Sequence, residues 1–255
     1  MDLFFYDEFP LQTEYWGVQS VLEGSSIPSL RGSDTQIPYS DGKRHEKKRF
    51  DSRPFILAMW VIGDEEQSLA ESTDKLKRLF GRLGQRTLRR VMANDEERYA
   101  QAEVHSVDSF DVEGYEFSRF TVEFTLADPL FYSRNKVILE QIYELEESNW
   151  FFMNEGTAHS TDLVISLHGP LENPKVFNRY NNIWFQYIGV IAEGETARIE
   201  TEYFTCKIGE SNRTSSIVHG GDANWLTLEA GANELQLTSD ITGGSIAIEY
   251  YPTYF

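Results

Sequence analysis

Residues 120–126, FTVEFTL, followed at once by Ala-Asp-Pro, set the frame for the whole chain. Phe120, Val122, Phe124 and Leu126 alternate with Thr121, Glu123 and Thr125, the period of two of a strand with one face on a core. Pro129 has no backbone N–H to give to a ladder, so an interior strand cannot run through it. A differently organised sequence begins beyond it. The break predicts a two-part protein, 1–130 and 131–255, and the 255 residues suffice for two domains of roughly 100 to 150 residues each.

The 17 Phe, 13 Tyr and 5 Trp against only 8 Pro favour strands throughout. The formal charge of -18 is spread over both parts: 16 basic and 24 acidic residues up to residue 130, then 7 and 17. A general nucleic-acid binder would show a basic face, so the global acidity argues against that class, although DNA that slides past without sticking is compatible with such a surface. The start, MDLFFYDEF, has no basic residue ahead of an apolar run and does not read as a secretory signal. No apolar stretch approaches the roughly 18 residues of a membrane span. Cys206 has no partner cysteine and reads as a small, partly buried strand residue, suited to a reducing cytoplasm.

Residues 24–42 carry the turn formers of a long loop or an arm with short strands. The run after it concentrates Lys43, Arg44, Lys47, Lys48, Arg49 and Arg53, a reversal of sign in an acidic chain. Its plain reading is a solvated face; a contact strip for an acidic neighbouring subunit is the second, and nucleic acid the third. Residues 55–63, FILAMWVIG, form a near-continuous apolar strand. Ser68 and Glu71 have capping-box spacing ahead of Leu69, Leu76, Leu79, Phe80 and Leu83, which recur near helical period. Lys75, Lys77, Arg78 and Arg82 place positive charge near the helix end, and Gly81 and Gly84 mark the stop. This helix is expected to cover one face of a sheet made by the strands TLRRVMA, ERYAQAEVHSVDSF and 120–126, with turns at Asn94–Asp95 and near Glu113–Gly114.

In the second part, KVILEQIYELEES reads as a strand although its apolar residues fit neither period cleanly. TDLVISLHG, NIWFQYIGV, ARIETEYFTCKIG, WLTLEAG, NELQLTS and GSIAIEYYPTYF read as short strands with no helix between them, the pattern of a β-sandwich. Chemistry is missing from the motifs. His45, His105, His159, His168 and His219 have no ligand spacing, no glycine-rich phosphate loop follows a strand, and there is no G-x-S-x-G. No enzyme, metal or cofactor is expected.

Taken in order, the residues resemble the distal tail proteins of siphophages, bacteriophages with long non-contractile tails. The first part matches in PSLRG at 28–32, the apolar strand leading into KLKRLFGRLG, and FTVEFTLADPLFY. The second matches in GTAHSTDLVISLHGPLENPKVFN, with Gly156, Gly169, Asn173 and Pro174; GVIAEGETARIET, with Gly194 and Glu195; LEAGANELQLT, with Gly231 and Asn233; and IAIEYYPTYF. Relatives tend to carry a less basic, glycine-rich segment where this chain has SDGKRHEKKR.

The resemblance implies a mainly β fold: an N-terminal sheet or split-barrel-like domain with one packed helix, closing into a hexameric ring around the tail channel. It implies a C-terminal galectin-like β-sandwich projecting from that ring. The implied partners are copies of the chain, the tail tube protein, the tail-associated hub protein, and receptor-binding or side-fibre proteins. The implied place is the distal end of the virion tail, after assembly in the bacterial cytoplasm, with no membrane anchor. A closed ring needs unlike patches to meet, and the basic strip and the acidic residues Asp64–Glu66 and Asp95–Glu97 are candidates. The galectin-like resemblance raises an alternative, a carbohydrate-binding module on the host surface, with Trp150, Trp184, Tyr187 and Trp225 as its aromatic platform; large aromatics in sandwich strands are more often core.

Overall fold

The computed structural model describes residues 2–39, 41–46, 48–108, 111–113, 116–144, 147–220 and 225–255. Over these the chain is mainly β, with a single α-helix and several sheets. It divides into two compact units, residues 1–132 with Phe255, and Ser133–Tyr254.

The first unit opens with β1 (Leu3–Tyr6), β2 (Phe9–Pro10) and β3 (Trp16–Glu23). Four two-residue strands follow: β4 (Leu30–Arg31), β5 (Thr35–Gln36), β6 (Lys43–Arg44) and β7 (Arg49–Phe50). Then come β8 (Arg53–Ile62), α1 (Glu66–Phe80), β9 (Arg86–Val91), β10 (Glu97–Val107), β11 (Asp111–Glu113) and β12 (Phe117–Leu126). The main sheet runs β2-β1-β9-β10-β12-β8-β3, antiparallel at every step, and β11 pairs with β12 beside this path.

Strand β12 buries Phe120, Val122, Phe124 and Leu126, as its period requires. The apolar run of β8 resolves into alternation: Phe55, Leu57, Met59 and Val61 point into the core, while Ile56, Ala58, Trp60 and Ile62 lie on a half-buried second face. Phe55 stands opposite Phe124, Leu57 opposite Val122 and Met59 opposite Phe120. The helix covers this face through Leu69, Leu76, Leu79 and Phe80. The Phe80 ring lies 6.3 Å from Phe120, 6.2 Å from Phe124 and 6.3 Å from Tyr6. Burying each such side chain stabilises the unit by about 1.5–3 kcal/mol.

The helix starts earlier than its capping signal suggests. Ser68 sits in the first turn, where its Oγ accepts the Glu65 N–H (3.1 Å) and donates to the Glu65 carbonyl (2.9 Å). Glu71 accepts instead from Gln67 Nε2 at 3.2 Å. Asp64, Glu65 and Glu66 crowd the start of the helix, where its positive dipole end favours them and extends it by a few residues. The helix stops at Gly81, so Leu83 lies outside the expected stripe and is 91% exposed.

Gly63 joins β8 to the helix, and a Cβ there would come within 2.3 Å of the Leu69 nitrogen and 2.7 Å of its Cα. Both are main-chain atoms of the first turn and cannot step aside. Gly63→Ala is therefore expected to destabilise the first unit by about 2 kcal/mol or more. Urea unfolding checks this, and a loss under about 0.5 kcal/mol would show that the turn yields.

The second unit follows β13 (Phe131–Ser133). Its strands are β14 (Val137–Ile142), β15 (Glu147–Asn154), β16 (Val164–His168), β17 (Leu171–Glu172), β18 (Lys175–Asn178), β19 (Ile183–Tyr187) and β20 (Val190–Ile191). They continue with β21 (Thr196–Glu200), β22 (Thr205–Ile208), β23 (Ser211–Asn212), β24 (Ile217–Gly220), β25 (Gly231–Thr238), β26 (Ser245–Tyr250) and β27 (Thr253–Tyr254). One sheet runs β14-β26-β16-β21-β22-β23 and the other β15-β25-β18-β19-β24. Ile165, Leu167, Ile199, Cys206, Ile246 and Ile248 of the first sheet share one apolar cluster with Trp150, Val176, Phe185, Tyr187, Leu235 and Leu237 of the second.

Three strand expectations change. KVILEQIYELEES is broken: β14 ends at Ile142, Tyr143 turns into the core, and β15 starts a strand in the other sheet, while Leu145 lies outside the described residues. ARIETEYFTCKIG is a hairpin, β21 and β22, with Phe204 at a positive φ of 51° in the turn. WLTLEAG is no strand; it makes one bridge, Leu228 with Ser160, and its apolar residues fill the core from a loop.

Candidate assembly surface

The long loop of the first unit is a two-stranded arm. β4 pairs with β7 and β5 with β6, so the chain runs out and back along itself between the end of β3 and the start of β8. The outer rungs, Thr35, Gln36, Lys43 and Arg44, are all exposed, as are Leu30 and Arg31 nearer the root, where Phe50 is half-buried. The tip residues Ile37 and Tyr39 are exposed as well. Apolar groups open at its end and cations along its rungs do not help the arm fold alone, which makes it the candidate assembly surface.

The predicted strip divides along this arm. Lys43, Arg44 and Arg49 are exposed on it. Lys48 is half-buried, its Nζ 3.3 Å from the Asp34 carboxylate, which also holds His45 Nδ1 at 3.1 Å. Desolvation is the largest single influence and pushes the Asp34 carboxyl up, but the Lys48 hydrogen bond, the charges of His45 and Lys48 and the Glu46 backbone together outweigh it and hold the group below its usual range. Lys47 lies outside the described residues. Arg31, which the strip left out, stands directly opposite Arg49 in the β4–β7 pair. Two like charges face each other there, a mildly unfavourable pairing that an acidic partner would relieve. The run KRHEKKR hid Arg31 because register, not proximity in sequence, brings it to the strip.

Arg53 does not belong to that surface. It is 4% exposed, at the inward end of the β8 alternation; its Nη1 donates to the Ser26 carbonyl (2.9 Å), and its guanidinium lies 5.5 Å from the Phe131 ring centre. Burial, and the nearby Arg90 charge, bring its pKa down to about 10 against the opposing pull of Asp128. Its place is the root of the arm, which it ties to β8.

Of the two acidic stretches, Asp95–Glu97 is largely consumed internally, with Asp95 exposed in the turn. Glu96 pairs with Arg98 at 2.9 Å and Glu97 with Arg89 at 3.5 Å, within a network that also joins Asp7 to Arg82 and Arg86 and Asp2 to Arg90. Asp64, Glu65 and Glu66 are exposed at the helix start and remain available as a negative patch.

The aromatic platform is not assembled. Trp150, Tyr187 and Trp225 are buried in the core cluster, because their strand positions or loop direct them inward. Only Trp184 points to the outer face of its sheet. Cys206 is buried too; burial pushes its thiol up to about 11, against the pull of Arg213. Among the described residues, no group of three or more His, Cys, Asp or Glu is placed to hold a metal ion, and no helix is long and apolar enough to cross a membrane.

Asn233, Asn173, Glu195 and Gly169 hold turns in the second unit. Asn233 is buried: its Oδ1 accepts the Glu229 N–H (2.9 Å) and Asn178 Nδ2 (3.2 Å), while its Nδ2 donates to the carbonyls of Glu229 (2.9 Å) and Gly231 (3.1 Å). Asn173, at a φ of 49°, accepts the Gly189 N–H on its Oδ1 (2.9 Å) and donates to Asp240 (2.8 Å). Glu195 takes the Ala192 N–H at 3.2 Å. A Cβ on Gly169 would lie 2.1 Å from the Ala192 carbonyl oxygen. Asn233 and Asn173 satisfy part-buried backbone groups, Glu195 an exposed one, and Gly169 leaves room for the Ala192 carbonyl.

No protein-family model matches the sequence, and no curated protein matches it. Among solved structures it is similar to the crystal structure of the Dit protein of phage SPP1, described as a paradigm of the hub adsorption apparatus in phages infecting Gram-positive hosts. That match has a TM-score of 0.69, covers 100% of each chain and has 16% sequence identity. Two structures of the phage P2 baseplate in its activated conformation, with Ca and with Sr, align over 98% of each chain at 8% identity with a TM-score of 0.45, below the level at which a shared fold is established. The chain thus has a fold like that of a phage distal tail protein, with few residues in common.

Proposed function

We propose that the chain is a structural adaptor at the distal end of the tail of a long-tailed, non-contractile bacteriophage. What supports this most is the fold likeness to the SPP1 Dit protein over the full length of both chains. On this reading the first domain closes with copies of itself into a ring, six in number, around the tail channel. One side of the ring meets the tail tube protein and the other the tail-associated hub protein. The second domain, read as a galectin-like sandwich, offers docking to receptor-binding or side-fibre proteins. The chain is assembled in the host cytoplasm and resides in the virion.

Ring closure requires a heterologous contact, one patch meeting a different one on the next copy. The arm supplies a cationic, apolar-tipped projection, and the exposed Asp64–Glu66 patch supplies the opposite charge. The remaining surface is acidic and would repel DNA moving through the channel.

Negative-stain electron microscopy of the purified full chain tests the reading. Flat rings with an axial hole are expected, together with antibody label at the tail end remote from the head on virions that carry the chain. Monomers alone at high micromolar concentration, with no label on such virions, would sink it.

A further inference from the structure

The outer face of the five-stranded sheet carries a groove of about 330 Å3, lined by Lys175 and Phe177 of β18, Trp184 of β19, and Gln236 and Thr238 of β25. Strand register assembles it: Phe177 stands between Trp184 and Gln236, and Lys175 stands opposite Thr238. The solvent face of an antiparallel sheet is ordinarily polar, so two aromatic rings side by side there are out of pattern.

Trp184 lies flat. Its cross-strand partner is Gly220, where a Cβ would fall 2.2 Å from the indole Cε2 and Nε1, so only a glycine lets the ring rest on the sheet. The main chain takes one face of the indole and leaves the other to the groove. Lys175 Nζ lies over the ring, 4.2 Å from its centre. No carboxylate forms an ion pair with this ammonium among the described residues, although acidic residues outnumber basic ones by 41 to 23.

We infer that this groove binds an acidic saccharide, a sugar carrying a carboxylate or a phosphate. An indole lying flat offers a surface for the C–H face of a sugar ring. Thr238 lines the same groove and brings a hydroxyl that can both donate to and accept from a sugar's ring hydroxyls. Lys175 decides the class. A neutral sugar displaces the ammonium from the ring and returns it only to water, whereas an acidic sugar draws it off as a charge-assisted hydrogen bond and bares the indole for stacking. The site shares only Trp184 with the four-residue platform expected from sequence, and it does not depend on ring formation.

Tryptophan fluorescence of the full chain, titrated separately with glucuronic acid, glucose 6-phosphate, glucose and inorganic phosphate, tests the inference. A saturable change with one or both acidic sugars is expected, with glucose and inorganic phosphate weaker by about tenfold or more. The two acidic arms tell a carboxylate site from a phosphate site. Lys175→Ala should reduce acidic-sugar affinity by about tenfold with the circular dichroism spectrum and melting curve unchanged, since a partly exposed lysine contributes little to folding. Trp184→Leu should abolish the response in a protein that still melts cooperatively. The inference is overturned by an absent response, by an equal response to glucose or inorganic phosphate, or by undiminished binding in Lys175→Ala. It also falls if neither acidic sugar binds while Trp184→Leu blocks assembly with other tail proteins, which would make the groove a protein contact.

Discussion

Asn233→Ala is expected to cost the second unit about 3 kcal/mol, lowering its unfolding midpoint by roughly 10 °C. The amide makes four hydrogen bonds inside a buried turn. Alanine cannot replace any of them; the part-buried Glu229 N–H loses its acceptor, and the buried Asn178 amide keeps only its bond to Thr227. The damage spreads, because Asn178 also holds the Thr227 carbonyl at 2.8 Å, next to the loop that carries Leu226 and Leu228 into the core. Asn149→Ala, at an exposed position of β15, is the control and should stay within about 0.5 kcal/mol. Scanning calorimetry of the full chain resolves the comparison. If Asn233→Ala melts with the parent, the turn is held by something other than this side chain.

Reversing the charge of the arm, with Lys43→Glu, Arg44→Glu and Arg49→Glu together, is expected to abolish ring formation without unfolding the chain. These side chains are exposed, so their effect on stability should stay within about 0.5 kcal/mol each. Assembly is another matter: like charges brought together across a contact cost several kcal/mol, and a closed ring repeats that cost at every interface. Lys48 is left in place because it is paired with Asp34, and changing it would disturb the arm itself. Sedimentation velocity should show rings for the parent and monomers for the triple variant. Raised salt should weaken the parent rings, since exposed charges are screened beyond about 10 Å at 0.1 M. Rings from the triple variant at parental concentrations would return the strip to an ordinary solvated face.

The parts of this fold that could be read in advance are those decided within a few residues of chain. The alternation of β12, its end before Asp-Pro, and the turn at Asp95, with a φ of 64°, are local consequences of side-chain period, a missing N–H and turn chemistry. The stripe Leu69, Leu76, Leu79 and Phe80 is equally local, and so are the β-rich character and the sign of the surface charge. The exact start of the helix was not legible, because Ser68 suits both the cap and the first turn, and it caps Glu65 from the first turn once the acidic residues before it extend the helix.

What tertiary structure decided is every property that depends on residues far apart in sequence. Arg53 and Arg49 look alike in the run KRHEKKRFDSR, yet one is the buried end of a central strand and the other an exposed rung, because β8 pairs with β12 and β7 pairs with β4. Trp150, Tyr187 and Trp225 could not be told from Trp184 by composition; one step of strand parity, or a loop folded over the core, sends each to one side of the sheet. Asn233 reads as an ordinary polar residue in LEAGANELQLT until Glu229, Asn178 and Gly231 converge on it. Period and propensity are carried by neighbours along the chain, whereas burial and hydrogen-bond convergence arise only when distant strands settle into register.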